Sequence, residues 1–141
     1  MIDVQNEEDT REVPLQKVGV KGVRYPVTVL DKNNRTQSTT AVVDLFVNLP
    51  HHFKGTHMSR FIEIFHKHHE NLTMNHFLEM LEEIRARLNA QKSYGEMTFP
   101  FFMEKKAPVS GQSAIMSYTC KYEGSVSENE RQFFVSIQVP V

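Results

Sequence analysis

One cysteine in 141 residues, Cys120, leaves no internal disulfide to staple the fold. A lone thiol fits a reducing cytoplasm. No apolar run is more than a few residues long, so no segment reads as a membrane-spanning helix. The N-terminus, MIDVQNEEDTRE, is acidic and polar and does not read as a secretory signal. An excess of one charge is missing too: 16 Lys+Arg stand against 17 Asp+Glu, a formal net charge of −1. No basic block is long enough to make nucleic acid the main partner. Internal repeats and low-complexity segments are also missing. What remains is ordinary globular composition, 40% apolar and 23% charged. A chain of this length suits one domain and buries about two-thirds of its unfolded surface, so folding needs neither disulfide nor metal. The expectation from composition is a soluble cytoplasmic domain with no membrane and no nucleic-acid partner.

Local patterns divide the chain into an extended N-terminal arm, residues 1–18, and a single module, residues 19–141. The arm is dense in Asp, Glu, Asn and Gln, and Pro14 blocks a long helix there. Val23, Tyr25, Val27 and Val29 then alternate with other residues at the period of a strand. Asp31-Lys32-Asn33-Asn34 supplies a turn. The run from Thr39 to Leu49 puts Ala41, Val43, Leu45, Val47 and Leu49 on one face; its other face is mixed, which implies partial cover on both sides.

Two helices follow. Met58, Phe61, Ile62 and Phe65 form one helical stripe after an N-cap at Thr56. Phe77, Leu81, Ile84 and Leu88 form the second, capped by Thr73. A loop of about three residues between them predicts antiparallel packing. Strand patterns return after Gly95, over Met97–Met103, Ala114–Tyr122 and Gln132–Val141, with loops at Lys105–Gln112 and Glu123–Glu130. The order strand, strand, helix, helix, strand, strand, strand predicts an α+β fold, an antiparallel sheet covered on one face by two antiparallel helices. The last strand stops at Pro140-Val141 in mid-pattern, so we expect the chain to be part of a longer protein.

Two segments carry a family resemblance: DVQNEEDTREVPLQKVGVKGVRYPVTVLD, Asp3 to Asp31, and LPHHFKGTHMSRFIEI, Leu49 to Ile64. Both resemble the N-terminal half of the type IB GTP cyclohydrolases, and the resemblance continues through YTCKYEG to SIQVPV. It implies the tunnelling fold, in which such modules join sheet edges into barrels, with this chain as the first of two modules in its parent. It implies GTP as substrate, with water opening the imidazole ring to give formate and 7,8-dihydroneopterin triphosphate in folate biosynthesis. It implies a homo-oligomer, a tetramer for the parent, and a divalent metal of the zinc or manganese type that supplies hydroxide. The family's metal set is a Cys-Pro-Cys-Ser-like motif, a histidine and a glutamate. These motifs are not in the chain, and the cysteine motif is expected a few residues beyond Val141. The chain alone is therefore expected to hold no metal and no catalytic residue. Two alternatives stay open: a non-catalytic assembly module on the same fold, or a relative with pterin-synthase or NADPH-dependent nitrile-reductase chemistry.

Lys54, His57, Ser59 and Arg60 lie at the start of the first helix. Helix N-termini attract anions, so the family's triphosphate gives these four a phosphate-binding reading. The competing reading is a helix cap with a surface salt bridge. His51 and His52 follow a strand, where neighbours point to opposite faces, so they are not expected to share an ion. His66, His68, His69 and His76 resemble a metal cluster, but without cysteine or carboxylate to complete a tetrahedral site they are expected to be a solvated helix end. Cys120 is expected to be a buried small hydrophobe. Met58, Met74, Met80, Met97, Met103 and Met116 are expected to fill core or interface.

Overall fold

The computed structural model describes residues 16–31, 33, 35–49 and 58–139. Five strands, β1 (Gln16–Leu30), β2 (Thr36–Leu49), β3 (Lys92–Lys106), β4 (Ser113–Ser127) and β5 (Arg131–Gln138), form one sheet in chain order. Every neighbouring pair is antiparallel. Helices α1 (Met58–His68) and α2 (Met74–Arg87) enter between β2 and β3. α2 lies over β3 and β4, and α1 lies against β1 and α2. The expected α+β architecture is present.

The period-2 pattern of β2 decides which face is covered. Ala41, Val43, Leu45, Val47 and Leu49 are all buried, and the alternate residues are not. Their partners in the core are Phe61, Ile64 and Phe65 from α1 and Phe77, Met80, Leu81 and Ile84 from α2. The helix-free face is half-open to solvent, which agrees with its mixed composition. Thr73 caps α2 as expected, its hydroxyl accepting from the His76 amide at 3.2 Å.

Four local expectations change. The buried stripe of α1 is Phe61, Ile64 and Phe65, with Ile62 only half-buried. The helix is turned so that its fourth stripe position falls on His68 rather than Phe65. The link between the helices is five residues, His69 to Thr73, because residues 69–72 also pair with β1. Gly95 and Gly124 do not mark turns. They face each other across β3 and β4, directly under α2. A Cβ on Gly95 would sit 2.8 Å from Leu81 and 3.0 Å from Phe77, and one on Gly124 would meet both at 3.1 Å. Glycine here admits the helix and does not break the strand. β3 therefore starts at Lys92, and β4 runs through Glu123 to Ser127. β1 begins at Gln16, inside the segment read as arm; residues 1–15 lie outside the described residues.

β1 carries a bulge between Val20 and Val23. Gly22 sits there at φ +69, and its amide donates to Asp44 Oδ1 at 2.7 Å. Only glycine takes that backbone shape without strain. At the far end β2 parts from β3 after the Val42–Thr98 pair. The Gln37 side chain bridges the gap, donating to the Phe102 carbonyl at 2.6 Å and accepting from the Phe102 amide at 3.0 Å. Met80 and Met97 are core residues, whereas Met74 is half exposed.

Candidate functional site

The start of α1 carries two of the four expected phosphate residues. Ser59 is exposed in the first turn, and Arg60 is half-buried beside it. Lys54 and His57, with His51, His52 and Thr56, lie outside the described residues. The first turn of α1 has no carboxylate to offset the partial positive charge of the helix end. Arg60 Nη1 donates to the Arg87 carbonyl at the end of α2, 3.3 Å away. That contact ties the start of one helix to the end of the other and leaves the remaining guanidinium N–H groups for another partner.

Of the four histidines His66 is exposed, as a solvated helix end requires, whereas His68, His69 and His76 are partly buried. His68 is only 12% exposed and bonds Glu83 Oε1 through Nε2 at 2.9 Å. Its Nδ1 is buried without a partner among the described residues. His76 meets it edge to face at 5.1 Å. His66 bonds the Tyr25 hydroxyl and stacks on His69 at 4.8 Å. The physical reason is the turn of α1: His68 takes the fourth position of the buried stripe, and its neighbours fold over β1. Glu83 also accepts from Lys67 at 3.1 Å and pairs with Arg87 at 3.4 Å. Partial burial works against its ionisation, but the bonds from His68 and Lys67 and their charges outweigh that and hold its carboxyl below the usual range. Among the described residues, no three His, Cys, Asp or Glu side chains converge to hold a metal ion. The residues described do not fit the metal that the resemblance implies.

Cys120 is buried under the helices, and that burial pushes its thiol up. An apolar thiol with a raised pKa is a poor nucleophile and a poor ligand. Tyr122 beside it is pushed up to about 12, chiefly by burial. Its hydroxyl donates to the Leu72 carbonyl at 3.1 Å, so its role is to fasten the loop between the helices.

One arrangement escaped the sequence reading. A cleft of about 510 Å³ opens on the helix-free face. Its lining includes Lys17 from β1, Phe46 from β2, Lys92 and Tyr94 from β3 and Phe134 from β5. These residues are up to 117 positions apart and meet only through strand register, so no local pattern announces them. The signal available was the run of lysines at Lys17, Lys21 and Lys92 on positions facing away from the apolar stripe.

Comparison with known proteins decides the lineage. The family model for type I GTP cyclohydrolase folE2 matches residues 1–141. This chain belongs to the FolE2 family. A protein from Syntrophus aciditrophicus (strain SB) named GTP cyclohydrolase FolE2 is 49% identical over 141 residues, all of this chain and 55% of the relative. One of the same name from Geobacter sulfurreducens is 47% identical over the same residues, 54% of its length. Another, from Fervidobacterium nodosum, is 44% identical over 139 residues, 53% of its length. The chain thus spans about half the length of the curated relatives it matches. No helix among the described residues is long and apolar enough to cross a membrane.

Proposed function

We propose that this chain is the N-terminal half of a type IB GTP cyclohydrolase, a cytoplasmic homo-oligomer that converts GTP and water to formate and 7,8-dihydroneopterin triphosphate. The observation that carries the reading is the family match across all 141 residues, together with relatives about twice as long that bear the GTP cyclohydrolase name. The metal that activates water is held by residues outside those described, since no suitable set converges among them. When bound, the metal supplies hydroxide at neutral pH. This half builds the scaffold and binds the substrate's phosphates.

In this reading Lys54, His57, Ser59 and Arg60 hold the triphosphate at the start of α1. The support is the absence of a carboxylate in the first turn of α1 and the Arg60 guanidinium, which makes one bond, to the Arg87 carbonyl, among the described residues. An arginine can meet a phosphate through two N–H groups at once, which a lysine cannot. The test uses the full-length parent. Arg60→Ala should weaken GTP binding by about tenfold to a hundredfold, the loss of one charge-assisted hydrogen bond. Arg60→Lys should restore part of that, and guanosine should bind wild type and variant alike. Equal losses for GTP and guanosine, with a lower melting temperature, would leave Arg60 only its tie to the Arg87 carbonyl.

A further inference from the structure

On the face of the sheet away from the helices, strand register sets Lys17, Asn48 and Lys92 in one row and Phe46, Tyr94, Ser125 and Gln132 in the next. The ring of Tyr94 receives two ammonium groups, Lys17 Nζ at 4.5 Å and Lys92 Nζ at 5.2 Å from its centroid. The ring is fixed in place, because Asn48 Nδ2 donates to its hydroxyl oxygen at 2.8 Å.

The cleft's carboxylates are already engaged. Asp44 accepts from the Gly22 amide at 2.7 Å, and Glu96 and Glu123 hold Lys121 at 3.6 and 3.5 Å. Among the described residues no carboxylate pairs with Lys17 or Lys92. Two like charges are thus gathered on one ring, neither of them in an ion pair among the described residues. A polyanion between them removes their repulsion and accepts charge-assisted hydrogen bonds from both. At the other rim Phe134 is 68% exposed. It lies two strands across and two residues along from Tyr94, about 12 Å by ordinary strand spacing and rise. That is the reach from the phosphates of a nucleotide to its base.

We propose that the helix-free face carries a nucleoside-polyphosphate site, with the phosphates between Lys17 and Lys92 and the planar ring on Phe134. It lies on the opposite side of the sheet from the start of α1, so it is a second site, independent of the substrate reading above.

The test titrates the 141-residue chain at low salt with inorganic triphosphate, GTP and guanosine, following backbone amide shifts and calorimetry. Triphosphate and GTP should shift the amides of Lys17, Lys92 and Tyr94, and GTP should bind several-fold more tightly than triphosphate. The double variant K17E/K92E should lose about tenfold or more in affinity for both. Phe134→Ala should bring GTP down to the level of triphosphate and leave triphosphate unchanged. Arg60→Ala should leave the shifts at Lys17 and Lys92 in place. If melting curves show K17E/K92E to be unfolded, K17Q/K92Q decides by the same criterion. Shifts confined to the start of α1, unchanged affinity in the lysine variants, or equal binding of GTP and triphosphate by wild type would overturn the proposal.

Discussion

The sheet ends differently on its two sides. At β1 the outer edge is closed by the link between the helices. The Thr28 amide donates to the His69 carbonyl at 3.1 Å, the Leu72 amide donates to the Thr28 carbonyl at 2.9 Å, and the Asn71 amide reaches the Thr28 hydroxyl at 2.6 Å. A bulge twists the same strand further along. At β5 no such contact is made among the described residues. Among the described residues the strand pairs with β4 alone, and Val135, Ile137 and Phe134 stand 56%, 51% and 68% exposed. Among the described residues the same sheet thus has one edge engaged at Thr28 and one edge with no partner strand, the kind of edge that pairing can extend. The difference teaches that, among the described residues, the sheet is stitched to the helix link on its β1 side and carries exposed apolar side chains on its β5 side.

The largest expected effect breaks the closed edge. Leu72 is fully buried at the heart of the stitched loop. Leu72→Ala should cost about 2–5 kcal/mol, read from the urea midpoint. Ile137→Ala on the open edge should stay within about 0.5 kcal/mol. Equal costs at the two edges would erase the contrast.

Next comes assembly. The wild-type chain should self-associate at tens of micromolar in sedimentation velocity, through β5. Ile137→Lys should shift it to monomer with little change in melting temperature, since an inward or edge charge is how sheets block pairing. A clean monomer for wild type would sink the idea that the open edge is sticky.

The smallest effect lies on the stitched side. Glu83 joins His68 and Lys67 at the end of α1 to α2, and its folded pKa is below the usual glutamate value of 4.5. A depressed carboxylate stabilises the fold above its unfolded pKa and loses that contribution as pH falls through the folded one. Stability of the wild type should therefore fall below about pH 4.5. Glu83→Gln should cost about 0.5 kcal/mol at neutral pH and flatten the acid limb. An unchanged acid limb in the variant would show that the tie between the helices is electrostatically idle.

Much of this architecture was legible because it rests on local periods. The alternation of Ala41 to Leu49 and the stripe of Phe77, Leu81, Ile84 and Leu88 name their own buried faces. What was hidden depends on which element lies above which. Gly95 and Gly124 look like turn residues until α2 is placed on them. Ile62 and Ile64 are equally apolar, and only the seat of α1 beside β1 selects Ile64. His68 looks like a polar helix end until that same seat buries it. At the candidate site, the helix-start string was visible as a motif because its residues are consecutive. The lysine pair on Tyr94 was not, because three strands must be in register before it exists.

Gln37 has a consequence for motion. Where β2 leaves β3, the Phe102 amide and carbonyl are both held by one side-chain amide. Past that point, towards Lys106 and Ser113, β3 and β4 pair only with each other among the described residues. The hairpin is a cantilever, and Gln37 is its outermost support. Protection of the Phe102 amide against solvent exchange then depends on a rotatable glutamine and not on a ladder. The next support inward is the Thr39–Pro100 contact, where the threonine hydroxyl donates to the proline carbonyl at 2.9 Å.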